Sequence, residues 1–417
     1  MQEDRKEGQT NDASQIWNGL MKLQKRLFPL CLGMCFAAFA ASQNPTDLVQ
    51  MALRSRDTVK ASELQVTSAK HSASSVGALP GTRLEAGANT RPDVGGGEDL
   101  TLFQPFDVFG KSRAARAGGN AAVRGAEANL RQSKLTVQTE VLTALATWAN
   151  ASRNLTVAND QLEITRQLEK STKIRVDARA LPDIQMTRAS LEVQKAEQVV
   201  IDRQATVQSA LVKVKQTLGG TSPDLSEPNA LDIPIDDSNS TINRPELLLL
   251  QSQRDGFAAE KKQAKLSLLP DVELQARRTQ WSMPEQYGVK LQLVIPLWDH
   301  GSARQKAAAA DQQADAATLQ YSDTKKQIQA EIDAAQIQLS AAKRSFAAYT
   351  KLAGGAKELM DKTQRGFELG ANTLIDVLDA KRALSDAQEQ LSNAKLNVDT
   401  AATELLRSQG QILGETK

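Results

Sequence analysis

The residues able to do chemistry are few, and their spacing assembles no reactive site. Cys31 and Cys35 have the separation of a redox or metal pair, but they sit inside an apolar run. His71 and His300 are the only histidines and lie far apart in sequence, which gives no His-rich metal site. Phe109-Gly110-Lys111-Ser112 ends like a phosphate-binding loop but lacks the preceding glycine and its spacing. No Ser-His-Asp or Cys-His set is plausible, and a catalytic zinc would need mostly carboxylates. The chain reads as a non-enzyme without a cofactor.

The elements behind these residues point elsewhere. The chain has 417 residues, of which 4% are aromatic and 24% charged. So few aromatics fit long helices packed through Ala, Val and Leu better than several conventional cores. The 51 basic and 49 acidic residues leave a net charge of +2, which gives no reason to expect nucleic acid as a partner.

Residues 1–40 read as a signal peptide with an N-terminal extension. Lys22, Lys25 and Arg26 precede the apolar run Leu27–Ala40, and Ala38-Phe39-Ala40 supplies a small-x-small cleavage site. Residues 1–20 are polar, so Met21 is a candidate start. A short buried helix is the alternative. Both cysteines fall in this segment, and Met34 before Cys35 argues against a lipid anchor. No other segment reaches about 18 apolar residues, so any membrane crossing must use strands.

The rest repeats itself with an offset of about 190 residues. Leu79-Pro80 recurs as Leu269-Pro270, and Gln104-Pro105-Phe106 as Ile295-Pro296-Leu297. Phe109-Gly110-Lys111-Ser112-Arg113 recurs as His300-Gly301-Ser302-Ala303-Arg304. Residues 41–220 form one copy, 242–417 the other, and 221–241 the connection. Each copy holds two alternating apolar/polar stretches, predicted as strands over about 82–91 and 98–106, and 271–280 and 287–297. Pro92–Gly97 and the region around Met283-Pro284-Glu285 are their turns. Strands of about ten residues could cross a bilayer at a tilt, but four cannot close a barrel alone. Two hairpins of a soluble sheet are the other reading. Aromatics gather at the strand ends, with Phe103, Phe106 and Phe109 in the first copy and Trp281, Tyr287 and Trp298 in the second, as in an interfacial belt.

Long helix fills the remainder. Residues 111–180 and 302–417 lack proline. Val141, Trp148, Leu155 and Leu162 recur every seven residues, as do Ile332, Leu339 and Phe346, which is a coiled-coil seam. Breaks fall at Ala180-Leu181-Pro182 and Leu369-Gly370-Ala371-Asn372. Each short helix before a strand pair is the right length to stack end to end with a return helix.

This ordered set resembles the TolC-type outer membrane efflux protein family, the outer membrane factors of tripartite efflux systems. The resemblance spans about Asn44 to Gly414. It is carried by the Leu-Pro pairs, by Arg244-Pro245-Glu246-Leu247, by the strand-to-helix turns ending in Gly110-Lys111 and Gly301, and by Gly370 through Ala380. It implies a mainly α fold with a small β part: a homotrimer whose α-barrel is capped by a shared twelve-stranded β-barrel in the outer membrane. It also implies a periplasmic adaptor and an inner-membrane pump (RND or ABC type) as partners, with outer membrane lipid around the barrel. The function implied is a passive exit duct for small toxic compounds or metal cations, and the compact size resembles the heavy-metal branch. A type I protein secretion duct, or a periplasmic adaptor or structural coiled coil, are the alternatives.

The resemblance also marks a gate. Within the family, acidic rings constrict the periplasmic tip, and the matching residues are Asp376 and Asp379. Arg365, one turn before the tip, is placed to latch them, with a solvated arginine as the alternative. The competing reading makes Asp376 a helix cap and Asp379 a solvated carboxylate. The first-copy tip looks shorter, with Ala180 where the family often has Gly and Met186 opposite Asp379.

Overall fold

The computed structural model describes residues 44–76, 78, 81–91, 95–220, 233, 244–279 and 286–415. Several expectations lie outside the described residues: the signal peptide, Leu79-Pro80, Trp281, the Met283-Pro284-Glu285 turn and, apart from Ile233, the 221–241 connection.

In chain order the elements are α1 (Pro45–Ser55), α2 (Asp57–Val76), β1 (Arg83–Arg91), β2 (Gly95–Phe106), α3 (Lys111–Asp177), α4 (Asp183–Thr217), α5 (Pro245–Leu266), β3 (Asp271–Thr279), β4 (Gln286–Val294), α6 (Ser302–Glu368) and α7 (Leu374–Gln409). β2 starts earlier than its alternation indicated because Gly95–Gly97 extends the pairing with β1. β4 stops at Val294, short of Pro296, since proline has no N–H for a ladder.

α3 and α6 each run 67 residues, about 100 Å at the helical rise. Both begin the same way. Gly110 and Gly301 take left-handed φ values of 77° and 80°, a conformation most residues resist. The Asp107 carboxylate then accepts the Lys111 and Ser112 N–H groups at 2.7 and 2.9 Å. Asp299 does likewise for Gly301 and Ala303 at 3.0 and 2.9 Å. These bonds satisfy N–H groups left open at a helix start. They also hold the Asp299 carboxyl below its usual range, the Ala303 bond contributing most.

Beside the sheet, the packing order across the layer is α2, α3, α5, α6; farther away it is α4, α3, α7, α6. The shorter helices meet end to end, as their lengths foretell. Ser55 Oγ donates to the Leu218 carbonyl at 2.7 Å, joining α4 to the α1–α2 junction. Arg244 donates to the Arg407 and Ser408 carbonyls at 2.9 and 2.7 Å, joining α7 to α5. The largest buried cluster lies near these joints, where Val49 and Ala52 of α1 meet Val141, Leu142 and Leu145 of α3 and Leu406 of α7. The α3 seam is buried at Val141, Trp148 and Leu162. On α6 it is buried at Ile332 and Leu339 but only half-buried at Phe346.

Candidate functional site: the amphipathic sheet and the helical tip

The four strands form one antiparallel sheet in the order β1-β2-β3-β4, so the two copies join edge to edge through β2 and β3. The register segregates side chains. Leu84, Leu102, Ala276 and Val289 lie in one row of one face, with Leu274 and Leu291 in the next row and Phe106, Val272 and Leu293 in the one beyond. No helix lies across this face among the described residues, and Val289 and Leu291 are 73% and 70% exposed. A soluble sheet would bury such a face against another layer.

The opposite face is polar and internally bonded. Asp99 takes the Arg277 guanidinium through both oxygens. Gln275 donates to Gln292 at 2.6 Å, and Arg83 to Glu85 at 2.8 Å. Phe103 belongs to this face, its ring centre 4.5 Å from the Arg83 guanidinium, and so it parts company with the other strand-end aromatics. Phe106 lies on the apolar face, and Phe106, Phe109, Tyr287 and Trp298 are all exposed. Among the described residues, β1 and β4 each keep one edge unpaired. No described helix is long and apolar enough to cross a membrane.

The other end of the molecule is the pair of helical turns, residues 178–182 and 369–373. They are equal in length, so the first-copy tip is not shortened. The residue in the glycine's place is Arg179 (φ 55°), matching Gly370 (φ 81°), and not Ala180. Ala180 N–H reaches back to the Arg175 carbonyl as Ala371 N–H does to Gly366. α4 and α7 therefore align from Asp183 and Leu374, which places Arg188, not Met186, opposite Asp379.

Thr373 and Asp376 form a reciprocal capping box at the start of α7. The Thr373 N–H and hydroxyl both donate to Asp376, at 2.8 and 2.7 Å. These bonds, the hydroxyl's first, hold the Asp376 carboxyl below its usual range. Asp379 accepts from Arg382 at 3.0 Å. The exposed Arg365 guanidinium takes neither carboxylate within the chain.

A different arginine, missed by sequence reasoning, spans the two tips. Arg175 donates to the Phe367 carbonyl at 2.6 Å, and its guanidinium lies 4.7 Å from the Phe367 ring centre. Phe367 is itself buried. Its one sequence signal, a cation in the last turn of a helix, is too common to single it out.

Two grooves run along one face of α3, of 760 and 240 Å³, floored by Thr136, Thr143 and Thr147, then by Asn154 and Gln161. The opposite face carries Arg131 and Gln138, which bind the segment after α7 through Gly410 and Gln411. Arg382, Asp386 and Glu389 of α7 line the smaller groove. Asp379 continues that stripe toward the tip, whereas Asp376 is turned away from it at the start of the helix.

The profile of the outer membrane efflux protein family matches residues 48–220 and 238–411. Outer membrane protein TolC of Escherichia coli (strain K12) is 23% identical over 89% of this chain and 84% of its own. Cobalt-zinc-cadmium resistance protein CzcC of Cupriavidus metallidurans is 24% identical over 74% of this chain and 75% of its own. The crystal structure of the outer membrane protein VceC of Vibrio cholerae superimposes with a TM-score of 0.74 at 19% identity, covering 88% of this chain and 96% of that one. Spanning both copies, these matches establish that the chain belongs to the outer membrane efflux protein family.

Proposed function

We propose that three copies of this chain close into one tube. As a member of its family, the protein is an outer-membrane exit duct of a tripartite efflux system, with a large helical extension into the periplasm. The observation that carries the trimer is the sheet: an uncovered apolar face and two open edges. Backbone groups left open in lipid are too costly to persist, so β4 of one copy pairs with β1 of the next until twelve strands close. The apolar face then meets lipid and the polar face lines the pore. Phe106, Phe109, Tyr287 and Trp298 form the interfacial belts, joined by Trp281.

The helices continue the tube as an α-barrel toward a periplasmic adaptor and an inner-membrane pump of RND or ABC type. The face of α3 bearing the two grooves looks inward, since α1 and the segment after α7 cover the other. On α7, Asp379 lies on that inward stripe and Asp376 one turn nearer the tip, and threefold symmetry makes them an acidic constriction favouring cations. Arg365, without a partner among the described residues of its own chain, reaches a carboxylate of the next. Residues 1–40 direct export and are removed. The likeness to CzcC supports metal cations as cargo, with small toxic compounds the alternative.

Planar-bilayer recording of the purified protein tests this reading. Wild type is expected to form a low-conductance, cation-preferring channel blocked by divalent ions from one side. Asp376→Asn with Asp379→Asn is expected to conduct more or lose the block. Channels indifferent to the substitutions would remove the gate and keep the tube. Verified protein that forms no channels would overturn the duct.

A further inference from the structure

The smaller groove contains a lysine with no acceptor. It lies between α4 and α7, and its charged lining includes Glu192, Lys195, Arg203, Lys381, Arg382 and Glu389. Most of these charges are already matched. Lys195 binds Glu192 at 2.9 Å, Arg203 binds Glu389 at 3.1 Å, and Arg382 binds Asp379 at 3.0 Å. Lys381 is half-buried and has neither a hydrogen bond nor an ion pair within the chain among the described residues. Asp386, the remaining carboxylate of the lining, is exposed.

We propose that this groove is an anion site, taking a small solute that bears a carboxylate or phosphate group, with Lys381 as its anchoring donor. Three observations converge on it. A half-buried ammonium without a protein acceptor gains from a ligand that supplies one. Two further cations, Arg382 and Lys195, flank the ammonium; burial first, and then these two, push Lys381 below the usual lysine range against the opposing pull of Glu192. The 240 Å³ space admits a phosphate or a short carboxylate and is smaller than the usual pocket for a drug-sized ligand. The site is complete within one chain, and it shares only Arg382 with the proposed gate, where that arginine binds Asp379.

The test is site-resolved amine acylation of the purified full-length protein, read by mass spectrometry. Inorganic phosphate is compared with chloride at equal ionic strength and neutral pH. Lys381 is expected to react several-fold more slowly in phosphate, while exposed Lys351 and Lys357 of α6 keep their rates. Lys195→Gln should weaken that protection without lowering the melting temperature. Equal Lys381 rates in the two salts would overturn the site, as would an equal slowing of all three lysines. Because the readout is chemical, loss of conductance leaves it intact, and a failed protection leaves the channel reading intact.

Discussion

Arg244 lies 3.2 Å from Glu331 across the α5–α6 packing, and its guanidinium also closes the end of α7. The first copy repeats the device. Arg56 lies 2.8 Å from Glu140 of α3 and donates to the Gln216 carbonyl at the end of α4. Each joint between stacked helices is thus held by one arginine that binds the long helix and caps the incoming one. Arg244 is the more buried of the two. Arg244→Ala should destabilise the protein by about 1–3 kcal/mol, the penalty for orphaning buried polar groups. Arg56→Ala should do less. Comparing the two melting temperatures decides the order.

Arg175 joins the hairpin tips through one carbonyl and one ring face. Arg175→Ala should loosen the second tip relative to the first, raising channel conductance. Arg175→Lys should recover only part of the closed behaviour, because an ammonium lacks the planar stacking surface. Identical recordings for all three proteins would separate the tip contact from gating.

Gly119 faces α2 with no room for a side chain: an added Cβ would stand 2.8 Å from the Ala73 Cα. Gly119→Ala should force the helices apart at a cost of about 1–3 kcal/mol, as overpacking does. Gly354→Ala meets open space on α6 and should be neutral or mildly stabilising. Chemical denaturation of the pair would expose any failure of this contrast.

Asp399 is buried, bonded to Lys395 at 2.7 Å, and faces Arg153 without a bond to it. Burial pushes its carboxyl above the usual range despite both cations. Folding therefore favours its protonated form, so this residue's contribution improves as pH falls through the folded pKa and is least favourable above it. Asp376 has the opposite sign, its stabilisation being present at neutral pH and lost on acidification through its depressed pKa. Asp399→Asn should remove the gain on acidification, measurable as a steeper fall of melting temperature toward acid pH than in wild type.

The lipid assignment of the sheet has its own check. Leu291 sits mid-strand on the apolar face. Leu291→Arg should cost about 2–4 kcal/mol if that position lies at the bilayer midplane, lowering the yield of assembled protein in outer-membrane fractions. Gln292→Arg, on the polar face, should be tolerated. Equal yields would place Leu291 away from lipid.

Much of this architecture was legible in the chain. Period-two alternation marks Val272–Ala276 and Val289–Leu293, and the absence of proline lets α3 and α6 run unbroken. The matching lengths of short and return helices announce the end-to-end joints. The tips were less legible because backbone conformation there does not follow residue type: Arg179 adopts the left-handed geometry that Gly370 adopts, and an alignment by glycine slips. Alternation places Phe103 on the polar face, but aromatic clustering alone groups it with Phe106. The reach of Arg175 to Phe367 joins residues on different hairpins, which no local pattern encodes. Asp376 takes the capping role that the competing reading gave it, and its part in a gate is a proposal.

The jointed columns bear on how such a chain can change over generations. α3 and α6 run unbroken past the level where α4 meets α1–α2 and α7 meets α5, so each long helix splints a joint between shorter ones. A residue added at a joint displaces the end of one short helix, whereas one added within α3 or α6 puts every side chain beyond it out of register. Lineages can therefore change length at the joints more readily than within α3 or α6.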